Sequence, residues 1–75
     1  MHKDLQTVVL TESLPDYGLK AGDLGTVVLV HRSEGYEVEF MTLVGETVAI
    51  ATLLPAQLRP IAKRDIAHVR ELQTA

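Results

Sequence analysis

Seventy-five residues with a net charge of −3, 47% apolar and 23% charged, describe one small globular domain and exclude a disordered chain. With no cysteine, disulfides and thiolate metal sites are excluded, so a core of marginal size must rely on packing and assembly. Ten acids outnumber seven scattered bases, which argues against a nucleic-acid partner, and no apolar run approaches the ~20 residues of a spanning helix.

The start, Met1-His2-Lys3-Asp4, is polar and lacks the apolar core of a signal peptide. Together with the lack of cysteine, it fits a cytoplasmic protein. Thr7–Leu10 reads as a first strand, because β-branched residues are stiff at the first side-chain torsion and fit a pleated backbone. Glu12–Lys20 breaks it. Pro15 withdraws a backbone donor and Gly18 permits a tight turn, so a compact loop is expected, with Leu14, Tyr17 and Leu19 turned inward. Gly22 and Gly25 flank Asp23 and predict a turn feeding the central strand, Thr26–Val30. That strand has almost no polar alternation, so both its faces are expected to be covered.

Ser33-Glu34-Gly35 is a hairpin signal. Tyr36-Glu37-Val38-Glu39-Phe40 then alternates cleanly, with Tyr36, Val38 and Phe40 inward and both glutamates toward water. Thr42–Glu46 is the next turn and Thr47–Leu53 the fourth strand, where Ala49 and Ala51 allow close approach of another element. Leu54–Leu58 reads as a single tight helical turn opened by Pro55. Arg59-Pro60-Ile61 reads as a short fifth strand that Pro60 confines to an edge. Beyond it, Ala62, Ile66, Val69 and Leu72 recur at helical spacing and predict a short amphipathic helix. The expected architecture is therefore mostly β. A five-stranded SH3-like barrel over residues 1–61 carries a C-terminal α-helix over residues 62–75 as an extension of the same domain.

Residues 5–61 resemble a family of small bacterial SH3-like barrel proteins catalogued as a domain of unknown function. The likeness rests on Thr7-Val8-Val9-Leu10, on Gly18-Leu19-Lys20-Ala21-Gly22-Asp23-Leu24-Gly25-Thr26-Val27-Val28, on Tyr36–Phe40 and on Leu53–Arg59. The resemblance implies the barrel and no catalytic residues. Some relatives are similar to components encoded beside toxin-like proteins, which implies a neutralising partner role.

No reactive constellation emerges from the residue types. His2, His31 and His68 lack paired ligand spacing, so no metal or other cofactor is expected. Glu37 and Glu39 share a solvated strand face, and Glu12, Asp16 and Glu46 add acids without a cleft. Gly22-Asp23-Leu24-Gly25 precedes a strand rather than a helix and is no phosphate loop. Tyr17, Tyr36 and Phe40 are too few for a polyproline groove or for stacking on single-stranded nucleic acid. Arg59, Lys63, Arg64 and Arg70 form the one basic cluster, balanced by Asp65 and Glu71. Tyr17, Val28, Val30, Ala49, Ala51, Ile66 and Val69 are the candidate interaction surface. The expected function is that of a non-catalytic protein-interaction module, an accessory or antitoxin- or immunity-like partner of another protein. Homo-oligomers through the helix or the two-faced strands fit the same surface. The alternative is an RNA- or ribosome-associated module of the elongation-factor type.

Overall fold

The computed structural model describes residues 5–31 and 35–72. Five strands form in chain order: β1 (Thr7–Leu10), β2 (Leu24–Val30), β3 (Tyr36–Met41), β4 (Thr47–Leu53) and β5 (Leu58–Pro60). Every pairing is antiparallel, and the sheet order is β4-β3-β2-β1-β5. The strand count and boundaries agree closely with the sequence reading. The closed SH3-like barrel does not: β4 and β5 end the order unpaired with each other, so the sheet is open. Pro60 explains one end. It has no N–H to extend a ladder beyond β1.

One apolar cluster holds the sheet together. Val8 and Leu10 from β1, Val27 from β2, Val38 and Phe40 from β3, and Leu53 from β4 are buried within it. Leu58 of β5 joins the same cluster from the opposite end of the sheet. The inner face therefore closes over itself through side chains rather than through a continuous ladder. The alternation in β3 performs as its period demands: Tyr36, Val38 and Phe40 are buried, Glu37 and Glu39 half-buried on the other face.

Two features of β2 depart from expectation. Its outer face is bare, with Val28, Leu29 and Val30 all exposed, so a second cover is missing. A register shift between Val27 and Leu29 accounts for part of this, since the extra residue carries Val28 out of the ladder. Gly25 is a buried strand residue paired with Val8, not part of a turn. It lies under β3, where an added Cβ would come within 2.5 Å of Val38 Cγ1.

The turn before β2 belongs to Lys20–Asp23. The Asp23 N–H donates to the Lys20 carbonyl, with Gly22 at φ +96°. Glycine is the residue that takes this third turn position without steric cost. Upstream, Leu14 and Leu19 exchange backbone hydrogen bonds of 2.9 and 3.1 Å around a 3-10 turn at Pro15–Tyr17. Leu19 is buried and Leu14 half-buried against the core, as expected, but Tyr17 stands 47% exposed rather than tucked inward. A second 3-10 turn, Pro55–Gln57, leads into β5. Gln57 Oε1 accepts the Leu54 N–H there at 2.8 Å, which satisfies one orphan donor of the turn.

The predicted C-terminal helix is absent among the described residues: positions 61–72 form a turn and an irregular tail. No residue before the segment caps a helix. Asp65, placed to act inside one, accepts the Ala62 N–H at 2.6 Å and forks onto Arg59 at 2.9 Å twice. A side chain that bonds the local backbone in this way stabilises a turn in competition with a helix. The 73–75 part of that expected helix, the 32–34 part of the expected hairpin and the first four residues lie outside the described residues.

Candidate functional site

The β3–β4 hairpin tip and the tail face each other across a groove of about 670 Å³. Leu24, Phe40 and Val48 contribute its lining from the sheet, Leu43 and Val44 from the tip, and Val69 and Leu72 from the tail. The tip is built, not slack. Thr42 N–H donates to Glu46 O at 2.8 Å, Gly45 N–H to Thr42 O at 2.9 Å, and Glu46 N–H to Thr42 Oγ1 at 3.0 Å. Gly45 sits at φ +93°, in the left-handed region that this turn requires. The turn thereby holds Leu43 and Val44 out in solvent, 91% and 85% exposed.

The other wall is fastened by one arginine. Arg70 Nε donates to Asp23 Oδ1 at 2.9 Å, and its Nη2 donates to Asp23 Oδ2 at 2.6 Å and to Gly18 O at 3.1 Å. A planar guanidinium matches a carboxylate through two parallel bonds in this way. The Lys20 N–H also donates to Asp23 Oδ2, at 2.9 Å. Partial burial pulls the Asp23 carboxyl upward. The Arg70 and Lys20 hydrogen bonds and the positive charge of both residues outweigh it, leaving Asp23 below its ordinary value. Arg70 is raised in turn, chiefly by its hydrogen bonds to Asp23. At the base of the tail, the Arg59 fork, the Ala62 N–H and the Arg59 charge bring Asp65 down to about 2.

The residues expected to share one surface are distributed elsewhere. Ala51 is buried in the core and Ala49 half-buried against it, so neither offers a docking face. Tyr17 lies on the first 3-10 turn, Val28 and Val30 on the outer side of β2, and Ile66 on the tail at 91% exposure. Of the seven, only Val69 lines the groove. Two of the four residues in the basic cluster form ion pairs, Arg59 with Asp65 and Arg70 with Asp23.

Four of the other candidates, His31, Glu37, Glu39 and Glu12, have side-chain partners. His31 Nε2 lies 3.3 Å from Glu37 Oε2, Thr47 donates to Glu39 at 2.6 Å, and Gln57 donates to Glu12 at 3.2 Å. His68 lines the groove, and His2 lies outside the described residues. Among the described residues no three His, Asp or Glu side chains gather as a metal-holding group, and no helix is long and apolar enough to cross a membrane. Leu43, Val44 and the Asp23–Arg70 pair escaped the sequence reading. For the first two a signal existed, since two adjacent aliphatic residues inside a tight turn have little chance of burial.

No curated protein and no solved structure matches the chain. The tail that carries Asp65 and Arg70 lies beyond the segment matched by a family model. That model, described as Domain of unknown function (DUF4926), matches residues 5–60, and the chain belongs to this family.

Proposed function

We propose that this chain is a non-catalytic protein-interaction module, an accessory partner that engages another protein at the groove between the hairpin tip and the tail. The observation that carries the reading is the pair Leu43 and Val44, held outward by a turn with three hydrogen bonds among Thr42, Gly45 and Glu46. Exposed aliphatic side chains on a defined turn lose free energy in water and regain it against a partner. Two further features support it. The groove continues this apolar surface through Val48, Val69 and Leu72. The acids with shifted titration, Asp23 and Asp65, are engaged by arginines, an arrangement that suits structure better than proton transfer.

A photo-crosslinking residue at position 43 tests this in the native host. The expected result is one adduct of fixed mass, resistant to ribonuclease and lost when Val44→Asp is added. No adduct in repeated trials, or an adduct that ribonuclease removes, overturns the reading; the second outcome transfers it to RNA binding.

A further inference from the structure

The tail is held in a way that a folded element is not. Over residues 61–72 it makes one internal backbone–backbone hydrogen bond among the described residues, Asp65 N–H to Ala62 O at 3.1 Å, beside the Ala62 N–H on the Asp65 carboxylate. Ile66 and Val69 remain largely exposed. At its far end, three donor contacts from the Arg70 side chain attach it to the sheet domain.

The receptor for that arginine is built from turns outside the tail. Asp23 is positioned by its own turn, through its N–H to Lys20 O at 3.0 Å and the Lys20 N–H to its carboxylate. Gly18, at φ +71°, closes the first 3-10 turn with its N–H on Pro15 O at 3.0 Å, and its carbonyl accepts from Arg70. Both groups lie within the family segment, whereas their occupant lies outside it. The occupying sequence is Val69-Arg70-Glu71-Leu72, with its two aliphatic residues lining the same groove as Leu24 and Phe40.

The geometry points to a guanidinium-receiving peptide site, formed by the Asp23 carboxylate, the Gly18 carbonyl and the adjoining groove. It takes an extended segment of a partner protein with an apolar–Arg–x–apolar pattern, in exchange for the chain's own tail. This rests on the interaction reading above, with the partner's segment taking the tail's place as the groove's second wall, and names the partner's chemistry. The tail shows which chemistry fits: a fork for the carboxylate, with Leu72 at the groove wall and Val69 on its rim, 69% exposed. Charge complementarity favours the arginine, since the receptor offers an anion and a carbonyl. Because the tail is tethered, it competes at high effective concentration. A peptide in trans therefore sees only the fraction of molecules whose tail has lifted, and its affinity falls by that fraction.

The test uses full-length protein and an acetylated, amidated, fluorescent peptide with the sequence of residues 67–72. Anisotropy titration against Arg70→Ala is expected to give binding about tenfold tighter than against wild type, the factor imposed by a tail closed about nine times in ten. Binding to Arg70→Ala is expected to vanish when Asp23→Asn is added, or when norleucine replaces the peptide's arginine. Equal affinity for both proteins, binding that survives norleucine, or no binding to either protein overturns the proposal. If Arg70→Ala fails to fold, the amide resonances of Val69 and Arg70 in wild type under excess unlabelled peptide decide: movement with the arginine peptide alone, as the tail is displaced, supports the site, and no movement refutes it. A wild-type dimer that Arg70→Ala abolishes puts a second copy's tail in the site and overturns the partner assignment. Peptide failure alongside a position-43 adduct leaves the interaction reading standing. Loss of the adduct with peptide binding intact does the reverse.

Discussion

Gly25→Ala places a methyl group where β2 passes under β3. Its Cβ would lie 2.5 Å from Val38 Cγ1, 2.9 Å from Phe40 Cε1 and 3.1 Å from Phe40 Cδ1. Carbon atoms in favourable contact sit about 3.5–4.0 Å apart, so Val38 must withdraw by roughly 1 Å. It has nowhere to go: Val38 is fully buried, Phe40 nearly so, and a valine on a strand is stiff at its only torsion. Overpacking of this kind costs about 1–3 kcal/mol. The alanine also restricts the unfolded chain, which offsets about 0.4–1 kcal/mol of that. At the midpoints of these ranges the net loss is about 1.3 kcal/mol, or a fall in Tm of roughly 5–10 °C for a domain of this size. Urea denaturation followed by circular dichroism reads it as a lower midpoint at unchanged slope. Val38→Ala should be less damaging in the Gly25→Ala background than in wild type, because the two side chains contend for one space. A midpoint at or above the wild-type value, or strict additivity of the two substitutions, refutes this account of the glycine.

Gly45→Ala meets no atom within 4 Å, yet its φ of +93° is disfavoured for alanine, so about 1 kcal/mol of stability is lost to backbone strain alone. Val44→Asp should move stability by less than about 0.5 kcal/mol, because the side chain is exposed. Unfolding curves check both. Asp23 and Asp65 are lowered from 3.8, Asp65 to about 2, so near pH 3 the unfolded chain binds more protons than the folded one. Their stabilisation is full above the unfolded value of 3.8 and fades as pH falls through the folded values, and Asp23→Asn or Asp65→Asn should each flatten part of that acid limb. Truncation after Ile61 should leave the ellipticity at 222 nm unchanged, since 61–72 contribute no helix; a clear loss of helical signal contradicts the non-helical tail.

The strands were legible because their signals are local. Tyr36, Val38 and Phe40 alternate with glutamates, β-branched runs mark β1 and β2, and prolines mark the entry to the second 3-10 turn and the edge strand. The tail was not. Ile66, Val69 and Leu72 have helical spacing, but a period is evidence for a helix only when a face exists to receive it, and here the receiving contacts are polar and distant. Arg70 reaches Asp23 across 47 positions, a separation at which sequence carries no periodic trace. Gly25 misled for a related reason. A glycine before a strand reads as a turn, and only the approach of Val38 and Phe40 shows that it is there for close packing. The open ends of the sheet were equally hidden, since strand order does not say whether the last two strands meet.

One of those ends, β4, runs seven residues from Thr47 to Leu53 with no charge, proline or glycine. Its far side pairs with no strand among the described residues, and Ile50 stands half out of the surface. Such a margin is a template on which another chain's amides and carbonyls can zip. Only the register shift near Phe40 and Met41 and the neighbouring Glu39 blunt it. In concentrated samples, filament seeding would therefore begin along this strand, and a lysine at position 50 is the simplest guard against it.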